Sequence, residues 1–249
     1  MRLPIVVFWV WINLLPFAID NQRQSAAIME DKYNKPWRTM PSGRMTQGQA
    51  KTLMICLYLI AYCASLRLGG LRQCLSLMAL GFAYNDLNLA DWSWFSRNAI
   101  NALGFCCFAS GALEVALSTP LLSSPGHREI IRWLGIIAVV VASTVQMQDM
   151  GDQEGDRMRG RKSLPLTVGD GPARWMTAAP MVFWSAFCPL YWRLSPGTSI
   201  LVGSLGLSVA YRILTLRGVE SDRWTFRIWN IWMAHLYALP LVAGLRERQ

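Results

Sequence analysis

Charge is thin in this chain: Asp, Glu, Lys and Arg make up 16% of its 249 residues, while 53% are hydrophobic. Soluble domains carry roughly a quarter charged residues, so the ordinary soluble globular class is excluded. Cysteine offers no framework either. Cys56, Cys63, Cys74, Cys106, Cys107 and Cys188 all lie in apolar runs and none has the C-x-x-C spacing of zinc or redox sites, so they read as buried core residues. Soluble-type repeats, low-complexity tracts and a continuous basic face are missing too. The net charge of +9 is scattered over short loops beside apolar spans, which argues for membrane topology and against a nucleic-acid partner. The first apolar run lacks a small-x-small cleavage site and reads as a retained helix, not a signal peptide.

What is present is a succession of apolar stretches near the length that crosses a bilayer. The spans are Leu3–Ala18, Thr52–Leu66, Leu71–Tyr84, Asn98–Thr119, Ile130–Met147, Ala173–Trp192, Thr198–Leu214 and Phe226–Leu245. They predict an all-α, polytopic transmembrane bundle of eight helices and one domain over residues 1–249. Alternating them across the bilayer puts loops 19–51, 85–97, 148–172 and 215–225 on one side, with most Lys and Arg and nearly all acidic residues. The excess of positive charge makes that side cytosolic. The lipid bilayer is therefore an expected partner, and the endoplasmic reticulum is the default organelle because no Arg- and Ser-rich, acidic-poor leader is seen.

One of these loops concentrates chemistry. It runs Gln148-Asp149-Met150-Gly151-Asp152-Gln153-Glu154-Gly155-Asp156 and continues through Arg157, Arg159, Arg161, Lys162 and Ser163. If the segment is helical, Asp152 and Asp156 share a face, with Asp149 on the same side. Carboxylates brought together in this way repel unless a divalent cation joins them, and the basic run suits an anionic ligand on that metal. The first loop offers a counterpart. Glu30 and Asp31 can supply hard oxygens to Mg²⁺, while Lys35 and Arg38 can hold phosphate oxygens. Taken alone, that loop is also compatible with an ordinary solvated segment; its pairing with the second motif points to a site.

With both motifs in view, the chain resembles the UbiA superfamily of intramembrane isoprenoid-diphosphate enzymes over nearly its whole length. Family members carry Asn-Asp-x-x-Asp-x-x-x-Asp and then an Asn-x-Pro-x-Arg-Pro-x-Pro-Ser-Gly type of loop. Asp31 takes the final acidic position here, and Asn34, Pro36, Arg38, Pro41, Ser42 and Gly43 follow in order. The family's second motif, Asp-x-x-x-Asp followed by Lys-Ser, is met by Asp152, Asp156, Lys162 and Ser163. The first motif departs from the pattern: Gln22 follows Asn21, the middle Asp is absent, and Asn21 stands ten residues before Asp31. Such a degenerate first motif looks like the fungal terpene cyclases of the superfamily. The usual bundle has nine helices with this motif after the second, so the family's opening helix is expected to be missing here.

The resemblance implies a Mg²⁺-dependent enzyme that ionises a prenyl diphosphate, with farnesyl diphosphate favoured. Asp152, Asp156 and Asp31 take the catalytic part, and the metal ligands are Asp152, Asp156, Glu30, Asp31 and Asp149. The substrate-binding set is Asn21, Lys35, Arg38, Arg159, Lys162, Tyr84 and Asn85. Cyclisation is preferred over transfer to an aromatic or polyketide acceptor. A carrier or an inactive membrane protein is the reading from another class, but carriers place ionisable groups near the bilayer midplane and these clusters lie at one face. Tyr84 can steady a carbocation with its ring or sit in the interfacial belt, whereas Trp92 and Trp94 read as belt residues. Glu114 reads as a hydrogen-bonded or interfacial carboxylate, His235 as a helix-to-helix hydrogen bond, and His127 as solvated.

Overall fold

A computed structural model describes residues 2–123 and 127–246. Among the described residues there are twelve α-helices and no strand. They are α1 (Leu3–Arg23), α2 (Ser25–Asn34), α3 (Gln47–Leu68), α4 (Leu71–Asn85), α5 (Leu89–Trp92), α6 (Trp94–Leu117), α7 (Arg128–Thr144), α8 (Gln153–Arg159), α9 (Leu164–Val168), α10 (Asp170–Tyr191), α11 (Pro196–Thr215) and α12 (Val219–Arg246). The eight expected spans correspond to α1, α3, α4, α6, α7, α10, α11 and α12. The other four helices lie in segments the hydropathy pattern reads as loops, because they are short and polar and carry no apolar face long enough to register.

Five helical segments are long and apolar enough to cross a membrane: Leu3–Arg23, Gln47–Leu68, Trp94–Leu117, Arg128–Asp149 and Pro196–Thr215. The fourth joins α7 to a 3-10 turn at Val145–Asp149. Local chemistry sets several boundaries. Thr46 and Gln49 form a reciprocal capping box at the start of α3, and Ser93 and Ser195 cap α6 and α11. Helix α1 runs past the expected Ala18 to Arg23, because Arg23 bonds Asp20 one turn back.

The described chain forms two compact units: residues up to Val139 with Glu154–Lys162, and Val140–Gln153 with the chain from Ser163 onward. In the first, α1 packs against α3, α4 and α6. Its core gathers Trp9, Ile12, Ala61, Cys74, Leu77 and Val115. Trp9 is fully buried and donates to Ser65 Oγ at 2.9 Å. A Cβ at Gly111 would fall 2.1 Å from its ring, so only glycine admits the indole there.

In the second unit α10 packs on α11 and α11 on α12. The buried Arg174 of α10 makes paired hydrogen bonds to both oxygens of the buried Asp222 at 2.8 Å and also reaches Asp170. Such forked pairing satisfies charge that burial would otherwise penalise. Trp229 of α12 donates to Thr144 Oγ1 at 3.0 Å.

Candidate active site

Helix α8 begins at Gln153, so Asp156 is helical while Asp152 stands just outside the helix. The expected shared helical face of Asp152 and Asp156 is therefore not formed: the preceding residues turn through the 3-10 segment, and Asp152 N–H bonds the Asp149 carbonyl at 3.3 Å. Asp149 and Asp152 fall in the second unit and Asp156 in the first. Asp149 is buried, and Asp152 lies 3.7 Å from Arg223.

Glu30 and Asp31 do not lie on a loop as expected but near the end of α2, and both are buried. Their helix packs closely on α8: a Cβ at Gly155 would come within 2.0 Å of Asn34 Nδ2 and 3.0 Å of Glu30 Cγ. Glycine at this position is what lets the two acidic helices approach. Asp31 is engaged by Arg38, whose Nη1 donates to both of its oxygens at 2.9 and 2.8 Å. Lys35 caps the end of α2 through its backbone N–H.

The C-terminal end of α8 carries the densest charge. Gly160 N–H bonds the Arg157 carbonyl and Arg161 N–H bonds the Asp156 carbonyl at 3.1 and 2.9 Å, with Gly160 at φ +75°. This is the Schellman closure that a left-handed glycine permits, and it folds Arg161 back beside Arg159. The Arg159 and Arg161 side chains are only 3% and 5% exposed. Arg159 bonds Asp91 through Nε at 2.8 Å and Glu30 through Nη1 at 3.3 Å. Arg161 bonds Asp91 through Nε and Asp156 through Nη1, each at 2.7 Å, and lies 3.6 Å from Glu30. Burial and the neighbouring Arg97 charge push the Arg161 pKa down, but Tyr84, Asp156 and Glu30 outweigh them and hold it above the usual arginine value.

The acidic residues thus meet guanidinium groups where the sequence suggested carboxylates facing one another across a metal. Among the described residues no three His, Cys, Asp or Glu side chains gather as a metal-binding group. The donor chemistry nevertheless fits a hard divalent cation in one respect. Asp156 Oδ2 is buried without a hydrogen-bond partner among the described residues. An oxygen of that kind can accept further positive charge.

The remaining expected residues divide. Tyr84 is buried, so it is not an interfacial-belt residue; its hydroxyl accepts a hydrogen bond from Arg97, whose guanidinium carbon lies 5.7 Å from its ring centroid. Asn85 donates to the buried Asp20 at 3.2 Å. Asn21 is half-buried on α1 and joins none of these bonds. The Lys162 side chain is exposed, and only its backbone N–H engages the site, at the Asp91 carbonyl, 3.0 Å. Trp92 is exposed and Trp94 half-buried.

Asp91, Arg161, Arg97, Asp20 and Arg23 are the residues sequence reasoning passed over. Arg161 was visible in the basic run. Asp91 had no local signal, because its partners lie 68 and 70 residues away. Three polar groups outside the cluster are also placed. Glu114 is a buried, hydrogen-bonded carboxylate that accepts from Leu121 N–H at 3.0 Å. His235 bonds the Ile231 carbonyl of its own helix at 2.8 Å, so the expected helix-to-helix bond is replaced by a local one. His127, read as solvated, contacts the Leu121 carbonyl at 3.1 Å.

Comparison with known proteins now decides the family: the model of the UbiA prenyltransferase family matches residues 5–232. The chain belongs to the UbiA prenyltransferase family. Somaliensene A/B synthase of Streptomyces somaliensis is 26% identical, over 96% of this chain and 78% of its own length. Fumagillin beta-trans-bergamotene synthase af520 of Aspergillus fumigatus is also 26% identical, over 96% of this chain and 80% of its own length. A solved structure from a study of "the biosynthesis of Digeranylgeranylglyceryl phosphate synthase in membranes" aligns with a TM-score of 0.54 at 18% identity. It covers 96% of this chain and 83% of that one, and so shares the fold. With its apolar helices and its family, the chain is an integral membrane protein and an enzyme of the UbiA type, a terpene cyclase or prenyltransferase.

Proposed function

We propose that this UbiA-family protein ionises an isoprenyl diphosphate, farnesyl diphosphate being favoured, and acts as a terpene cyclase in secondary metabolism. The observation that carries the reading is the pair of buried guanidiniums at the end of α8, set among carboxylates from α2, α5 and α8. The named synthases among its relatives favour cyclisation. The acidic segments are proposed to face the cytosol, from the distribution of Lys and Arg, with the endoplasmic reticulum as the proposed membrane.

In this reading Arg159, Arg161 and Arg38 receive the diphosphate oxygens, with Lys35 and Lys162 at the periphery, Asn21 and Asn85 beside the substrate, and Asp31 holding the Arg38 fork. Asp156 and Glu30, with Asp31, all in the first unit, are the proposed carboxylate ligands of Mg²⁺. When bound, Mg²⁺ would neutralise the diphosphate and make it a better leaving group. The guanidiniums take up the charge that develops on the leaving oxygen when the allylic C–O bond breaks heterolytically. The carbocation keeps the prenyl chain, the electron pair leaves with the diphosphate, and an apolar helical environment excludes the water that would quench the ion. The prenyl chain's own double bonds then attack the cation, and the cyclised cation loses a proton to the released pyrophosphate, which leaves a neutral hydrocarbon. The Tyr84 hydroxyl, held by Arg97, orients the site beside Asn85 in this account.

The test is to incubate detergent-solubilised protein with Mg²⁺ and farnesyl diphosphate and collect volatile products. A cyclic hydrocarbon is expected. Prenylation that appears only after an aromatic or polyketide acceptor is added would replace the cyclase reading with a transferase one.

A further inference from the structure

Asp91 sits on the four-residue helix α5, far in sequence from either acidic motif, yet it accepts from Nε of both site arginines, where Glu30, the other carboxylate paired with both, meets them only through Nη1. Its Oδ2 accepts from Arg159 Nε and its Oδ1 from Arg161 Nε. A guanidinium held at Nε cannot turn about its own axis, so its terminal nitrogens keep fixed directions. Nη1 of Arg159 is directed to Glu30 and Nη1 of Arg161 to Asp156. Among the described residues neither Nη2 has a hydrogen-bond partner.

Two like charges two residues apart in sequence repel, and the negative charge shared between their Nε atoms offsets that repulsion. The Asp91 carbonyl also accepts the Lys162 N–H, which fixes the backbone just beyond the arginines. One residue of α5 therefore holds both the side chains and the main chain of the basic run.

We propose that Asp91 is a positioning residue that aligns Arg159 and Arg161 so that their free Nη2 groups together receive one anion, the diphosphate end of the substrate or released pyrophosphate. The inference rests on the diphosphate reading above. Asp91 does not touch the anion; it sets the spacing of the donors that do. Its loss leaves both guanidiniums charged and held only through Nη1, Arg159 to Glu30 and Arg161 to Asp156 and Glu30, so each can swing about that remaining contact and the two donors no longer converge. Binding of the anion suffers first, and KM rises more than kcat falls.

Inorganic pyrophosphate is the probe, titrated against the full chain in detergent by calorimetry, with the thermal midpoint of each protein recorded alongside. Asp91→Asn should weaken pyrophosphate binding at least tenfold and raise KM for farnesyl diphosphate by a similar factor. Asp91→Glu, which keeps the charge and moves it by one methylene, should recover part of the affinity. Leu87→Ala, an exposed change before the same short helix, should bind pyrophosphate as the wild type does and so separates a disturbed loop from lost alignment. Pyrophosphate affinity within twofold of wild type in Asp91→Asn would overturn the proposal, as would an equal loss in Leu87→Ala. If Asp91→Asn does not accumulate as folded protein, Asp91→Ser is judged by the same two limits. Failure of the wild-type protein itself to bind pyrophosphate would instead sink the diphosphate reading on which the inference stands.

Discussion

Gly160 shows how much of this site depends on backbone conformation at single positions. Its φ of +75° closes α8 and places Arg161 beside Arg159, with no atom within 4 Å of where a Cβ would project. Gly160→Ala therefore meets no steric clash but must adopt a left-handed conformation costing about 1–2 kcal/mol. Its thermal midpoint should fall by a few degrees, while kcat/KM for the prenyl diphosphate falls more than that small destabilisation explains, since Arg161 is displaced from Asp91 and Asp156. Thermal unfolding and steady-state kinetics on the same preparation check both. At this scale the sequence was legible where chemistry is local. The run from Asp156 to Ser163 stands out by its own charged composition, and Glu30, Asp31 and Arg38 by their resemblance to a known loop, and the structure places Glu30, Asp31, Arg38 and Asp156 in ion pairs. Which cation would be buried was not legible: Lys162 faces solvent, and Arg161 enters the cluster only because the turn at Gly160 reverses the chain.

Between elements, buried ion pairs tie the polar ends of helices together. Arg174 on α10 and Asp222 in the first turn of α12 are each 3% exposed. Asp222→Ala strands a buried guanidinium with only the half-exposed Asp170 and the Ile213 carbonyl, a loss of about 3–5 kcal/mol by the usual cost of breaking such a pair. The thermal midpoint in detergent should drop sharply, and an unchanged midpoint would show that water or detergent reaches Arg174. The long helices were readable because a membrane demands unbroken apolar runs. The short ones were not. Helix α2 is only 10 residues long and α5 only 4, too short for periodicity to separate them from polar loops, and tertiary contacts at Gly155 and Asp91 supply the stabilisation that local propensity does not.

Over the whole chain, the two acidic motifs stand far apart in sequence, and part of what joins them is now concrete: α2, α5 and the end of α8 meet through one network of charge in the first unit. The sequence predicted that loops 19–51, 85–97 and 148–172 share a membrane face, from the alternation of spans alone. Ion pairs among Glu30, Asp91 and Arg159 join residues of all three segments. Their sign pattern was not foreseeable from composition, because paired charges cancel in any count of net charge. Release of pyrophosphate from farnesyl diphosphate, followed with wild-type protein and Asp156→Ala, each with Mg²⁺ and with excess EDTA, tests the central claim most directly. The account predicts Mg²⁺-dependent release by the wild type, abolished by EDTA, and none above background from a membrane-inserted Asp156→Ala. Release that persists in Asp156→Ala at the wild-type rate, or none at all from folded wild-type protein with Mg²⁺, would contradict it.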